Sequence, residues 1–156
     1  MKSEPKLIDT LNGLLADELT AISQYMVHSE MCAHWGYDGL HEAIESQAKD
    51  EMHHAEWLIE RILFLEGVPV VSNLRPMKIG KTVEAIIVGD QEAEIDAVKA
   101  YNAGIAQASD LADEATADLL TEILKMEEGH VDWAEKQRAL MAQMGMENYL
   151  ASQLGE

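Results

Sequence analysis

The chain has 156 residues, with 29 Asp and Glu against 11 Lys and Arg, which gives a formal net charge of -18. This charge argues against a nucleic-acid partner and favours the attraction of cations, while a hydrophobic content of 47% excludes disorder as the explanation of the acidity. A single cysteine, Cys32, excludes an internal disulfide framework and a cysteine-based zinc site, and the length predicts one domain over residues 1–156.

Apolar residues recur at helical spacing along the chain and predict four long helices and a short fifth. We expect these helices over residues 6–34, 40–66, 82–111, 115–144 and 146–154. Gly67 is expected to end the second helix as a left-handed residue beyond its last turn. Residues 68–81 form a segment that is long for a loop within a bundle, so we interpret it as a crossover. This connectivity predicts an all-α, ferritin-like four-helix bundle.

The two halves of the chain repeat one pattern of polar residues. Each half supplies a lone glutamate and a Glu-x-x-His pair, at Glu18, Glu51 and His54 in the first half and at Glu94, Glu127 and His130 in the second. Equivalent members are 76 residues apart (94 − 18, 127 − 51 and 130 − 54), and the same offset relates Tyr25 to Tyr101 and Trp57 to Trp133. The halves therefore predict two copies of one helical hairpin, related by a pseudo-two-fold axis.

The placement of the four glutamates indicates a metal site. Glu-x-x-His pairs occur by chance, but each of these glutamates takes a position where the helical period calls for an apolar residue. An unpaired buried carboxylate costs several kcal/mol, and of the basic residues only Lys99 falls near these positions. Two divalent cations would balance four carboxylates, whereas the alternative is a structural polar network. A ligand set without sulfur favours iron or manganese over structural zinc.

The pseudo-symmetry suggests a role for each ligand. Glu51 and Glu127 are placed to bridge two metals. The remaining ligands would each bind one metal, and these are Glu18, Glu94, His54 and His130.

Tyr25 lies on the same buried stripe as Glu18, where it is either an electron donor, a hydrogen-bond partner of a ligand or a plain core tyrosine. We expect Cys32 to be a small buried hydrophobe or an interface residue. Surface or capping positions are expected for the other histidines, which are His28, His34, His41 and His53.

Three passages make the sequence resemble bacterioferritin over essentially its whole length. They are Leu-Leu-Ala-Asp-Glu-Leu at 14–19, Ile-Glu-Arg-Ile-Leu-Phe-Leu-Glu-Gly at 59–67 and Glu-Glu-Gly-His at 127–130. All six di-metal ligand positions are filled as that family has them. Ordinary ferritins are similar in fold but do not carry a second Glu-x-x-His of this kind.

The resemblance implies a hollow homo-oligomeric shell of 24 subunits, built from two-fold dimers, that oxidises Fe(II) with O2 or H2O2 at a di-iron centre and stores ferric mineral inside. It also implies a small electron-donor protein for iron release and a b-type haem, held between two subunits by one methionine from each, which matches Met52. Met52 lies one residue off the buried stripe, so a methionine at the core edge or at a subunit interface explains it equally well.

The sequence departs from the family at two places. Family members often have a histidine at the position of Ser46, where it pairs with Asp50 in an inner-surface iron site. Only Asp50 remains here, so the resemblance implies a weaker site of that kind. Near the implied haem, Met26 and Glu45 stand where aromatic residues are frequent in the family.

Two other classes of protein remain as alternatives to a bacterioferritin. A small di-iron redox enzyme of the rubrerythrin kind usually adds a cysteine-rich iron domain, which a single cysteine excludes. The negative charge opposes a DNA-coating mini-ferritin, and a non-catalytic helical scaffold would bind no stoichiometric iron. No signal peptide and no membrane-length apolar run is visible, so we expect a cytoplasmic protein without a membrane partner.

Overall fold

The computed structural model describes residues 1–155 and shows the expected all-α architecture. No strand occurs within this range. The helices are α1 (Pro5–His34), α2 (Asp38–Phe64), α3 (Val83–Asp110), α4 (Glu114–Met144) and α5 (Met146–Ser152). Their ends lie within two residues of the predicted bounds. None of the helices described is long and apolar enough to span a bilayer.

The packing of the helices follows the repeat. Helix α1 packs along α2 and α3 packs along α4, while the pairs α1–α3 and α2–α4 join the two hairpins. Exchanging the halves leaves this set of pairs unchanged, as a pseudo-two-fold axis requires. Helix α5 packs on α4 and buries Tyr149 at that end of the bundle.

The end of α2 differs from the prediction. The left-handed residue is Glu66, with φ 61°, and not Gly67. Gly67 instead donates its N–H to the Ile62 carbonyl at 2.9 Å, as the second residue beyond the cap in a Schellman motif. A Cβ at Gly67 would lie 2.8 Å from Cγ2 of Ile8. The glycine is therefore needed for the close approach of the chain to α1 and not for its backbone angle.

The crossover segment, residues 65–82, is held along α1 by side-chain acceptors. Acceptors on α1 receive hydrogen bonds of 2.8–3.2 Å from backbone N–H groups of the segment, the pairs being Asn12 with Val70, Thr20 with Arg75, Gln24 with Lys78 and His28 with Gly80. His28 is fully buried, so its predicted surface position is wrong. These acceptors satisfy a backbone that forms no helix of its own.

The apolar core is divided into two clusters by a polar layer. One cluster lies around Leu11, Leu58 and Leu120, and the other lies around Ile44 and Ile87. On every long helix the glutamate of the repeat falls between the residues of the two clusters. The bundle therefore carries its buried charge at mid-length, with packed apolar side chains at both ends.

Candidate metal centre

The structure brings all six predicted ligands together in the polar layer. Each of these residues has at most 7% of its surface exposed. We call this set the ligand cluster, and it comprises Glu18, Glu51, His54, Glu94, Glu127 and His130.

The ligand cluster divides into two overlapping groups of four. One group contains Glu18 and His54, the other contains Glu94 and His130, and both contain Glu51 and Glu127. Within each group one donor atom per residue lies within 4.8 Å of all the others. Two ions placed in these groups would share the two common glutamates, which is the arrangement of bundles that bind two metals through carboxylates.

Distances within the two groups agree across the pseudo-two-fold axis. Nδ1 of His54 lies 2.9 Å from Oε1 of Glu127, and Nδ1 of His130 lies 3.0 Å from Oε1 of Glu51. Nδ1 of each histidine also approaches the lone glutamate of its own hairpin, at 3.5 Å for His54 and Glu18 and at 3.2 Å for His130 and Glu94. Both histidines therefore direct Nδ1 into the cluster.

Several buried oxygen and nitrogen atoms of the cluster, each able to bind a metal, have no hydrogen-bond partner, although they lie close to one another. These atoms are Glu18 Oε2, Glu51 Oε1, His54 Nδ1, Glu94 Oε2 and Glu127 Oε1. Among residues 1–155 no lysine or arginine forms an ion pair with the four glutamates. Unpaired buried oxygens that surround a common point are costly without a cation. The residues present therefore fit a pair of divalent metal ions.

The protonation of the metal-free cluster reflects this crowding. Burial raises the pKa of Glu51, and the negative charge of Glu18 adds to the rise. Burial and a hydrogen bond with Glu94 raise the pKa of Glu127 to about 12. For His54, burial lowers the pKa, but contacts with Glu127 and Glu18 outweigh it and bring the value to about 9. Protons on Glu127 and His54 thus offset part of the negative charge that metal ions would balance.

Two buried tyrosines donate hydrogen bonds to the lone glutamates of the two hairpins. The Tyr25 hydroxyl donates to Oε1 of Glu94, and the Tyr101 hydroxyl donates to Oε1 of Glu18 at 2.5 Å. Burial and the neighbouring carboxylates raise the pKa of both phenols. Tyr101 was not among the predicted site residues, although its offset of 76 from Tyr25 was the signal that could have found it.

The second ring nitrogens of the histidines point out of the cluster to different partners. Nε2 of His130 lies 3.0 Å from Oδ2 of Asp50, and Nε2 of His54 lies 3.2 Å from the Met126 sulfur. Asp50, predicted as an inner-surface iron residue, thus contacts a member of the cluster. No pattern in the sequence directly indicates a role for Met126.

Known proteins are similar in sequence to this chain over nearly its whole length. Residues 8–144 match the ferritin-like domain family. Bacterioferritin of Brucella melitensis is 39% identical over 149 residues, which cover 96% of this chain and 92% of that protein. The chain belongs to the bacterioferritin family. Bacterial ferritins of Synechocystis sp. and Pseudomonas aeruginosa are 39% and 40% identical, and the matches cover 99% of this chain and 99% and 100% of those proteins.

The residue that this family resemblance implies as a haem ligand lies outside the cluster. Met52 is 45% exposed on α2, next to the buried Glu51. Its thioether is therefore accessible from outside the bundle.

A cavity of about 290 Å³ reaches the ligand cluster from the side of the crossover segment. Its lining includes all four cluster glutamates, Tyr25 and several surface carboxylates. Arg75 and Lys78 of the crossover also line it, and they pair with Asp17 at 2.9 Å and with Glu92 at 3.7 Å. The cavity is a route of mainly acidic character from the surface to the buried donors.

Proposed function

We propose that the chain is an iron-storage protein whose ligand cluster oxidises Fe(II), its substrate, and delivers ferric iron to the interior of a hollow homo-oligomeric shell. The unpartnered donor atoms of the cluster, arranged in two groups that share two glutamates, carry this proposal. The match to bacterioferritins over nearly the whole chain supports it.

The arrangement suits a two-electron reaction. Each Fe(II) gives one electron, so a pair supplies the two electrons that convert O2 and two protons to H2O2, or H2O2 and two protons to two waters. The residues of the chain fix the separation of the ions, balance their charge and exclude bulk water. Surface carboxylates along the cavity favour the approach of a cation.

Substitution of the ligands tests the proposal. Glu18→Ala and Glu127→Ala should each slow Fe(II) oxidation, followed by absorbance after mixing with O2, by more than about 100-fold, because each removes a donor that the chain cannot replace. Glu128→Ala is the matched control, since Glu128 is the exposed neighbour of Glu127. Oxidation at the unsubstituted rate in both ligand variants, with the assembly intact by gel filtration, would overturn the assignment.

For the assembly we propose 24 subunits built from two-fold dimers. Exposed apolar side chains on the long helices give surfaces for such contacts, among them Met26, Val27, Leu63 and Phe64. With a chain of 17.3 kDa, 24 copies give roughly 400 kDa. Light scattering should report this mass, and a mass below about 100 kDa would contradict the shell.

We further propose that Met52 is an axial ligand of a b-type haem held by two copies of the chain. The exposed thioether of Met52 fits this role, because a two-fold axis brings two copies of one residue together. The haem would pass electrons from a small electron-donor protein into the shell. Met52→Leu should abolish the haem absorbance bands, while Met144→Leu, at another exposed methionine, should leave them unchanged. Haem retained by Met52→Leu contradicts the proposal.

The alternative of a small di-iron peroxidase without mineral storage is not favoured. The relatives that match nearly the whole chain are named bacterioferritin or bacterial ferritin. We also propose that residues 1–156 form a single ferritin-like domain, that the protein is cytoplasmic and that Asp50 has an accessory role in binding iron.

A further inference from the structure

The internal repeat is broken at one pair of positions beside the ligand cluster. Asp50 and Met126 are 76 residues apart (126 − 50), and each directly precedes one of the two shared glutamates. Each also contacts Nε2 of the histidine from the other hairpin, Asp50 at His130 and Met126 at His54. The positions are therefore equivalent in sequence and in space, but one holds a carboxylate and the other a thioether.

This difference changes what each histidine can do as a ligand. A histidine that binds a metal through Nδ1 carries its remaining proton on Nε2 and donates it outward. A carboxylate acceptor fixes this tautomer, holds the ring in place and raises the basicity of the binding nitrogen. A thioether is a weak acceptor and does little of this. His130 therefore has a strong outer partner, and His54 has a weak one.

Other features of the two groups do not compensate for this difference. Each group has three glutamates and one histidine, and the lone glutamate of each hairpin accepts a hydrogen bond from a tyrosine. Asp50 and Met126 are both partly exposed. A carboxylate at position 126 would thus be partly exposed, as the Asp50 carboxylate already is.

We propose that the two metal positions of the cluster are inequivalent: the position at His130 and Glu94 binds a divalent cation more tightly than the position at His54 and Glu18, because position 126 lacks the carboxylate that Asp50 supplies at position 50. This inference rests on the proposed function, because it requires the cluster to bind two metal ions. Asp50 and Met126 act through the histidines and are positioning residues.

Titration with Co(II) in the absence of Fe(II), followed by its visible absorption bands, tests the inference without any turnover. The assembled, metal-free protein should bind two ions per chain in two steps, with dissociation constants that differ by at least about 10-fold. Repulsion between the two ions contributes to this ratio in every variant. The decisive quantity is therefore the change in the ratio on substitution.

Met126→Asp should tighten the weaker step and reduce the ratio by about 10-fold. Asp50→Leu should also reduce the ratio by about 10-fold, because it weakens the tighter step. Met126→Leu is the matched control, and its ratio should equal that of the unsubstituted protein. Circular dichroism of each variant verifies the helical fold, and Asp50→Asn, which keeps an acceptor of similar shape, should give an intermediate ratio.

A ratio that stays within twofold of the unsubstituted value in both Met126→Asp and Asp50→Leu overturns the inference but leaves the proposed function standing. Failure of the unsubstituted protein to bind two Co(II) ions overturns the proposed function and the inference together.

Discussion

The two ends of the bundle differ, although the six ligand positions at its centre repeat faithfully. At one end, Nδ1 of His28 lies 2.8 Å from Oδ1 of Asp90, and both are buried. The offset of 76 places Gly104 and Leu14 in the equivalent positions at the other end. There a Cβ on Gly104 would lie 3.5 Å from Cδ1 of Leu14, in apolar surroundings. A polar pair at one end thus corresponds to an apolar contact at the other.

The crossover segment explains this difference. It runs along α1 and ends at Gly80, whose N–H donates to Nε2 of His28 at 2.9 Å. Nε2 therefore carries no proton, and Nδ1–H donates to Asp90. Gln24 also donates to Asp90 at 2.8 Å and accepts from the crossover N–H of Lys78. The halves match where both must supply the same ligand, and they diverge where one of them must satisfy the crossover backbone.

The largest effect is expected at the polar end. His28→Leu leaves the buried Asp90 carboxylate without its main partner and should lower the free energy of unfolding by about 3–5 kcal/mol. The double variant His28→Leu with Asp90→Leu imitates the apolar end, so it should lose less than the sum of the two single variants. Denaturant unfolding at one fixed protein concentration measures both quantities.

Additive losses in that cycle, or a loss below about 1 kcal/mol for His28→Leu, would show that the pair is not coupled. Proteolysis provides a second measurement. In the His28→Leu variant, residues 65–82 should be cleaved faster, because Gly80 loses its acceptor.

A smaller effect is expected at the tyrosines, where the halves agree. Tyr25→Phe and Tyr101→Phe each remove a hydrogen bond to a buried carboxylate, so each should cost about 1–3 kcal/mol of metal-free stability. Only Tyr25 is among the residues that line the cavity. Fe(II) oxidation should therefore slow more in Tyr25→Phe, and a larger slowing in Tyr101→Phe would contradict a role for Tyr25 as an electron donor.

The smallest effect concerns the helix starts, where the repeat is broken again. Asp113 caps α4 by accepting from the Thr116 N–H, whereas Tyr37, its equivalent by the offset of 76, gives α2 no side-chain cap. Asp113→Ala should cost about 1 kcal/mol of stability, and Tyr37→Phe, which removes no cap, should cost less. Equal losses in the two variants would contradict a capping role for Asp113.

The contribution of this cap to the stability of the fold depends on pH. Burial raises the pKa of Asp113, but hydrogen bonds from Thr116 and the charge of Arg61 outweigh it and lower the pKa below 3.8. The contribution of the carboxylate is therefore fully present above pH 3.8 and is lost as the pH falls through the lowered value. The stability difference between the unsubstituted chain and Asp113→Ala should narrow below about pH 4 and remain constant near neutral pH.

The parts that follow from helical period and offset could be predicted from sequence. These include the helices, the crossover and the convergence of the six ligand positions, because buried glutamates stand out against an apolar stripe. The parts that depend on a neighbouring segment could not. His28 belongs to a polar face of α1, and only the crossover lying over that face makes it buried. Met126 resembles any methionine until its contact with His54 is known.

The end of α2 shows a similar limit. Gly67 follows a helix directly, and glycine commonly takes the left-handed position there. The close contact with Ile8 of α1 makes a side chain at Gly67 impossible without a shift, and the left-handed residue falls one position earlier, at Glu66. The preference of glycine for the left-handed region therefore predicts the correct helix-ending motif but the wrong left-handed residue. The contact between Gly67 and Ile8, which are distant in sequence, explains why the glycine lies one position later.

The crossover segment also has a consequence for how the ligand cluster is completed. Each hairpin carries one lone glutamate and one Glu-x-x-His pair, so neither hairpin alone holds a full set of ligands for either ion. Two separate hairpins would have to associate before binding metal, and their occupancy would depend on dilution. Residues 65–82 tether the second hairpin to the first at an effective concentration that is of order millimolar for short linkers. The cluster is thus complete in every folded chain, however dilute the protein.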